Sequence, residues 1–396
     1  MFQTPKGTRD LNPNEARKFQ YVLDVVRTVF EKYGFNPLFT PAFEDYKLLS
    51  AKSGDSIKDE IYYFQDKSKR ELGLRFEFTA SLARFVSNNP NLSKPFKRYQ
   101  YGKVWRYDQP QAMRFREFWQ ADVDIIGSSS IEADAEILSC FTECMNALGF
   151  KDYYVRVNSR KVIEEKMIKV GITDIESVFR IIDKMDKIGE AGVRKELKTK
   201  RIDDTKVMKV IKNFNNPEGE IKELFELAKR FGFDKKLKFD STLVRGLGYY
   251  TGLVYEVYAG KGLSCGGGGR YDNLIKQLGG PDLPATGISF GVDRLVNLMD
   301  EKQFPKSKSK YYIANVNEKV KPDVYKIAKT LRDKGISCDY DLMNRKLGKQ
   351  MASASDYPYV IIVGEKEIKQ NKVLLRNMIS GKEELLDIKD VIKNLK

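Results

Sequence analysis

Apolar residues recur at Phe19, Val22, Leu23, Val26, Val29, Phe30 and Tyr33, a stripe of helical period that stops at Gly34. Asn12-Pro13-Asn14-Glu15 marks its start, with Asn as N-cap, Pro at the first helical position and Glu three residues after the cap. "FNPLFTPAFED" then reads as extended chain, confined to irregular or edge pairing by Pro37 and Pro41. "ELGLRFEFTASLARFVSNN" predicts a strand that turns into a helix. From Lys97 to Gly127 the pattern is two strands around a polar loop containing Pro110, a hairpin that carries arginines. Alternation along its second strand sets Gln120, Asp122 and Asp124 on one face.

The character changes over residues 159–238, where Lys-rich helical segments joined by short turns predict a helical insertion between two β-rich halves, 1–158 and 239–304. Strand patterning returns at Leu243, runs through a stretch of glycines and ends in "ATGISFGVDRLVNLM", a strand leading into a helix. A polar linker near Pro305-Lys306-Ser307-Lys308 precedes alternating strands and helices, which predict a separate α/β domain over 310–396. The expected class is therefore α+β, with a small α/β domain at the C-terminal end.

Charge and missing residue types narrow the chemistry. A formal net charge of +15 favours a polyanionic partner, nucleic acid before membrane, since no basic amphipathic helix stands out; a Lys-rich proteome is the bland alternative. No apolar run approaches the ~20 residues of a membrane helix, and "MFQTPKGTRDLNP" does not read as a signal peptide. The four cysteines show no zinc or disulfide spacing, so a reducing cytoplasm is expected, without zinc. Histidine is absent, which excludes His-based triads, His general bases and His-ligated metals. Gly246-Leu247-Gly248-Tyr249-Tyr250-Thr251-Gly252 misses the dinucleotide spacing and opens no helix, so no NAD is expected, and no P-loop occurs.

Phosphate chemistry, if present, must then run on arginines. Arg106, Arg245 and Arg294 lie in apolar, strand-like surroundings, while Arg114 and Arg116 lie in the hairpin loop. Each alone reads as a solvated or salt-bridged residue. As a set they suit a triphosphate, which satisfies guanidinium groups by bidentate contacts. Glu77, Asp122 and Asp124 supply carboxylates for a cationic or N–H-bearing ligand, or merely for pairing with neighbouring arginines.

These residues carry a family resemblance. Arg106, Asp108 and the loop to Arg116 resemble motif 2 of class II aminoacyl-tRNA synthetases. "GISFGVDRL", with Arg294, resembles motif 3, and the helix ending at Gly34 with the segment to Pro41 resembles the dimerisation element, motif 1. "LVRGLGYYTG" and "GGGRYD" look like the two signature peptides of the histidyl-tRNA synthetase family; "PKGTRD", "LRFEFT" and "QPQAMRFREFWQADVDIIG" resemble its archaeal-like branch. The resemblance spans essentially the whole chain. It implies a class II antiparallel-sheet catalytic domain with a helical insertion and a C-terminal α/β anticodon-binding domain.

It also implies roles. The reaction would be ATP-dependent ligation of histidine to its tRNA through histidyl-adenylate, with Mg-ATP as substrate, in a cytoplasmic homodimer. Arg106, Arg245 and Arg294 with Gln120 would be catalytic, and Arg106, Asp108 and Arg294 would hold ATP. Glu77, Thr79, Gln120, Asp124, Tyr249, Tyr250 and Tyr271 would bind histidine. Gln111, Arg114 and Arg116 would meet the tRNA acceptor end. No metal site built from protein side chains is expected. Two departures stand out: Gly248 occupies a position where the first signature has Asp, and Met113 one where the hairpin loop has Gly. Two other readings stay open at this point: a non-catalytic synthetase-like regulatory subunit, such as the partner of ATP phosphoribosyltransferase, and a tRNA-sensing module. The retained Arg245 and C-terminal module weigh against the first.

Overall fold

A computed structural model of the chain describes residues 2–51, 59–109, 114–246, 248–260, 262–304 and 311–388. It divides into two compact units, Met1–Gln303 and Phe304–Lys396. In the first unit the strands are β1 (Asn36–Pro37), β2 (Phe43–Asp45), β3 (Tyr63–Gln65), β4 (Glu71–Leu74), β5 (Phe96–Trp105), β6 (Glu117–Ile126), β7 (Tyr153–Ser159), β8 (Leu237–Phe239), β9 (Leu253–Ala259), β10 (Leu263–Arg270) and β11 (Ala285–Gly291). The second unit holds β12 (Tyr311–Asn315), β13 (Cys338–Tyr340), β14 (Tyr359–Val363), β15 (Lys372–Asn377) and β16 (Glu383–Asp387).

One eight-stranded sheet, ordered β1-β5-β6-β11-β10-β9-β7-β8, organises the first unit. Its six central strands pair antiparallel, and the short strands β1 and β8 add a parallel pair at each edge. A three-stranded sheet, β2-β4-β3, stands beside it.

Two helices cover one face of the large sheet. The first, Pro13–Lys32, begins as its sequence requires: Asn12 accepts from the backbone N–H groups of Asn14 and Glu15, and Glu15 accepts in return from Asn12 N–H. Phe19, Val22, Leu23, Val26, Val29 and Phe30 are buried along its stripe, and Gly34 leaves the helix with φ +75°. The second, Ile131–Ala147, stacks Phe141 on Phe290 of β11 with ring centroids 4.1 Å apart, and Phe30 reaches the same ring at 5.9 Å. Under the second helix lies a closed polar cluster. Asp134, fully buried, accepts from Thr286 Oγ1 at 2.7 Å, from Arg270 Nε at 3.1 Å and from the Tyr255 hydroxyl. Arg270 also donates to the carbonyls of Ser128 and Ser130, at 3.0 and 2.8 Å, and to Asp272 Oδ1 at 3.3 Å. Helix, β9, β10 and β11 are thus stapled at one point.

Between β7 and β8 the chain forms five helices, Arg160–Lys169, Ile175–Ile182, Met185–Thr199, Asp204–Asn213 and Glu220–Phe231, the third broken at Gly189 by non-helical φ and ψ. In the second unit the order is β13-β12-β14-β15-β16. The helix Lys321–Asp333 packs Val324, Ile327 and Leu331 against Ile313 and Ile361, and Leu347–Ser353 lies among Tyr312, Ala314 and Val360. No described helix is long and apolar enough to cross a membrane.

The staple sets a stability test. Asp134→Ala leaves the buried Arg270 guanidinium with only the partly exposed Asp272 as counter-charge and is expected to destabilise the first unit by about 3 kcal/mol, read by denaturant unfolding.

Candidate active site

The face of the large sheet away from the two helices is polar, and strand register sets its rows. One row runs Gln100, Asp122, Ser289, Gly267, Glu256, Arg156 across β5, β6, β11, β10, β9 and β7. The next runs Arg98, Asp124, Gly287, Gly269, Val254, Asn158. Glycines occupy the middle of both rows, so side chains from the flanks fold over bare backbone. A Cβ on Gly287 would lie 2.0 Å from Asp124 Oδ1, and one on Gly267 would lie 1.9 Å from Arg245 Nη1. Only glycine permits these approaches.

Two cavities open on this floor. The smaller, about 70 Å³, has Glu77, Thr79, Asp122, Asp124, Tyr249, Tyr250 and Tyr271 on its walls. The larger, about 260 Å³, has Asp108, Arg114, Glu256, Asp293 and Arg294. Arg106, Gln120, Arg245, Gly267 and Ser289 line both and form the junction.

Arg245 is delivered by a loop that β7 grips at alternate side chains. Arg156 pairs with Asp240 at 2.6 Å and donates to Thr242 Oγ1 at 3.1 Å; Asn158 donates to the Leu243 carbonyl at 2.9 Å. Arg160, next in the alternation and buried, donates to the Arg245 carbonyl at 3.0 Å and pairs with Glu176 of the insertion at 2.7 Å. Arg245 itself takes φ +51°, a left-handed conformation that a non-glycine residue keeps only where its surroundings enforce it. Its Nη1 donates to the Tyr255 carbonyl at 3.2 Å, and its buried Nε has no hydrogen-bond partner. Burial pulls its pKa down, but Tyr250, Glu256, Tyr249 and Asp183 outweigh burial and leave it raised.

Arg106 enters the junction just beyond β5, donating from Nε to the Phe76 carbonyl at 3.1 Å, with its guanidinium carbon 5.2 Å from the Phe118 ring centre. Burial lowers its pKa, while the charge of Glu77 opposes that shift. The Glu77 carboxyl is raised by burial and accepts from the Tyr249 hydroxyl at 3.2 Å. Gln120 presents a buried Oε1 with no hydrogen-bond partner. The junction therefore holds one orphan donor and one orphan acceptor, a costly state for buried groups unless a ligand completes it.

At the bottom of the smaller cavity, Asp124 accepts from the Tyr271 hydroxyl and lies 2.7 Å from Arg98, whose side chain is 0% exposed. Burial pushes the Asp124 carboxyl up, and Arg98 is the main opposing influence. Asp122, which accepts from Ser289 Oγ at 2.5 Å, is pushed up to about 7 by burial against the pull of Arg98. Near neutral pH the pocket thus carries less negative charge than its three carboxyls suggest.

The remaining expected residues are placed unevenly. Arg294 is exposed on the helix Val292–Leu298 and donates to the Ser264 carbonyl. Asp108 pairs with Arg114. Arg116 lines neither cavity: it donates to the Asp108 carbonyl at 3.1 Å and lies over Tyr107, 4.1 Å from the ring centre. Gln111 and Met113 lie outside the described residues. Sequence reasoning missed Arg98, Ser289, Glu256 and the Arg156, Asn158, Arg160 ladder. Alternation along "VRVNSR" could have put the ladder on one face, but its target became visible only with the loop in place.

Comparison with known proteins gives consistent matches. The model of a family described as histidyl-tRNA synthetase matches residues 7–295, and one described as anticodon binding domain matches residues 310–396. The Histidine–tRNA ligase of Nanoarchaeum equitans is 39% identical, covering 100% of each chain, and that of Thermococcus kodakarensis is 36% identical, covering 98% and 97%. The crystal structure of histidyl-tRNA synthetase from Nostoc sp. PCC 7120 is similar with TM-score 0.85 at 28% identity, covering all of both chains.

Arg98→Met should separate the buried charges by pH. Without Arg98, the Asp122 and Asp124 carboxyls rise further above their unfolded values. A raised carboxyl is stabilising while protonated and loses that stability as pH climbs through its folded range. The variant's deficit in urea unfolding is therefore expected to be larger at pH 8, about 3–5 kcal/mol, than at pH 5.

Proposed function

We propose that this chain, which belongs to the histidyl-tRNA synthetase family, activates histidine with Mg-ATP and transfers the histidyl group to the terminal ribose of its tRNA. The observation that carries the reading is the junction: two arginines, an orphan donor on Arg245 and an orphan acceptor on Gln120, between a small pocket of carboxyls and tyrosines and a larger basic one.

In this reading histidine fills the smaller cavity. Its ammonium meets Glu77, Thr79 and the free Oε1 of Gln120. Its imidazole lies between Asp124, which Tyr271 and Arg98 orient, and Tyr250, with Tyr249 beside it. A site built to bond both ring nitrogens leaves its buried groups unpaired with any other side chain, which gives discrimination without editing. ATP fills the larger cavity, its α-phosphate at Arg106 and Arg245 and its far end at Arg294, with Asp108 at the cavity wall. A carboxylate oxygen of histidine attacks the α-phosphorus, the bond to pyrophosphate breaks, and pyrophosphate departs with the electron pair. The attacking oxygen is already ionised, so no general base is needed, which suits a chain without histidine. The arginines stabilise charge on the phosphate oxygens during the exchange. In the second step a ribose hydroxyl of the tRNA attacks the carbonyl carbon, the bond from that carbon to the phosphate oxygen breaks, and AMP leaves with its phosphate taking up the hydroxyl proton.

The tRNA side rests on the net charge of +15, on the match of residues 310–396 to an anticodon binding domain and on exposed Arg114 beside the larger cavity. Gln111 and Arg116 are proposed for the acceptor end, Arg116 chiefly by bracing the hairpin. Cytoplasm is the proposed compartment, supported by four cysteines that are buried free thiols. A homodimer is proposed through the face around β1 and β2, where Phe39 and Phe43 are 61% and 51% exposed. The regulatory-subunit and tRNA-sensing readings are not favoured, since the relatives named as ligases match along the full length.

Histidine-dependent ATP–pyrophosphate exchange tests the reading, and its absence in protein that still binds tRNA would overturn it. Arg245→Ala is expected to slow exchange by ~10²–10³-fold. Gly267→Ala should cost a similar factor by displacing the same guanidinium, and the double variant should be little worse than either, because both remove one interaction. Phe39→Glu with Phe43→Glu should shift sedimentation from dimer to monomer.

A further inference from the structure

The N-terminal segment "PKGTRD" contributes nothing to either cavity wall, yet it touches two of the elements that carry the larger cavity's arginines, the hairpin and the helix Val292–Leu298. Thr8 closes a turn on the Pro5 carbonyl, with N–H at 3.0 Å and Oγ1 at 2.7 Å. Gly7 takes φ +84° and lies against Arg116, where a Cβ would come within 2.8 Å of the arginine stem. Its carbonyl accepts from Arg116 N–H at 2.8 Å, and the Arg116 carbonyl in turn accepts from Arg106 N–H at 2.9 Å. The turn therefore grips the return of the hairpin one residue from Phe115.

Arg9 completes the link. Its guanidinium carbon lies 4.1 Å from the centre of the Phe115 ring and 5.7 Å from that of Phe19. Its Nη2 donates to Asp293 Oδ1 at 2.9 Å. Asp293 is 6% exposed, sits in the first turn of the helix Val292–Leu298 and immediately precedes Arg294. Its second oxygen accepts from Trp119 N–H of β6 at 2.7 Å. Phe115 and Asp293 both line the larger cavity; Arg9 does not. One cation thus fixes the distance between the hairpin return and the helix that bears Arg294.

We propose that Arg9 is a positioning residue for the nucleotide: by stacking on Phe115 and pairing with Asp293, it sets the spacing of the two walls that hold ATP. This rests on the reading that ATP fills the larger cavity. A wall displaced by about 1 Å degrades a preorganised site even when no ligand contact is deleted. The effect of this clip, Arg9 with Phe115 and Asp293, should be confined to the nucleotide, because none of the three lines the smaller cavity.

The test is pyrophosphate exchange with KM measured separately for ATP and histidine, alongside a melting curve. Arg9→Gln is expected to raise KM for ATP about tenfold while KM for histidine stays within about twofold. Arg9→Lys, which keeps the charge but not the planar stack, should recover part of the loss. Asp293→Asn keeps an acceptor for Trp119 and removes the ion pair, so it should reproduce the ATP-specific rise; it decides the matter if Arg9→Gln fails to fold. Arg294→Ala serves as the reference for the underlying reading. If Arg294→Ala leaves KM for ATP unchanged, the placement of ATP is wrong. If Arg294→Ala raises it while the folded clip variants leave it unchanged, or raise both KM values equally, the role of Arg9 is overturned.

Discussion

Everything at the candidate site depends on a guanidinium lying directly on strand backbone. Arg245 Nη1 occupies the space that any side chain at position 267 would need, and Asp124 does the same above Gly287. Both groups are therefore held low over the sheet, where burial is deep: Arg245 donates to the Tyr255 carbonyl and Asp124 accepts from the Tyr271 hydroxyl. Glycines usually weaken strands, because they cost backbone entropy and pack nothing. Here β10 tolerates four in succession because its neighbours on both sides are long antiparallel partners and because Phe141 fills the space beneath Gly266 from the opposite face.

That arrangement needs the sheet to be rigid from behind. The helix Ile131–Ala147 supplies the stiffness twice, through the stacked Phe141–Phe290 pair and through Asp134, which ties Tyr255, Arg270 and Thr286 of three neighbouring strands. Arg270 stands beside Tyr271, whose hydroxyl orients Asp124, so "GGGRYD" works on both faces at once. Its arginine locks the rear of the sheet, its tyrosine faces the smaller cavity, and its glycines leave the floor bare. An ion pair buried this completely is weak evidence for stability in itself. Its value here is geometric, because each partner is also bonded to a fixed backbone or hydroxyl group.

Local rules made part of this legible in the sequence. The capping box at Asn12 and the apolar stripe to Phe30 depend on contacts within a few residues, and they reappear atom for atom. Alternation alone placed Gln120, Asp122 and Asp124 on one face. Apolar surroundings singled out Arg245, whereas family resemblance, not periodicity, singled out Tyr250 and Tyr271. What stayed hidden was long-range register. Arg98 reads as one more basic residue in "KRYQY" until β5 pairs with β6 and sets it opposite Asp124. Asp122 reads as a plain carboxylate until burial holds its proton toward neutrality. The grip of Arg156, Asn158 and Arg160 on the Arg245 loop joins residues about 85 apart in sequence, beyond any window a pattern can use.

The same long-range contacts bear on Gly248, the departure from the family's first signature. Its φ lies outside the left-handed region, and a Cβ there would meet only Glu176 Oε2, at an ordinary 3.6 Å. Neither backbone conformation nor crowding therefore demands glycine. Charge gives a better account of the position. An aspartate would set a second carboxylate beside Glu176, which is already committed to Arg160, the residue whose other arm holds the Arg245 carbonyl. With glycine, the carboxylate that Arg160 pairs with comes from the helical insertion. The acid missing from the signature loop thus has a counterpart on the insertion, so the loop that carries Arg245 is braced through Arg160 against Glu176 as well as by β7.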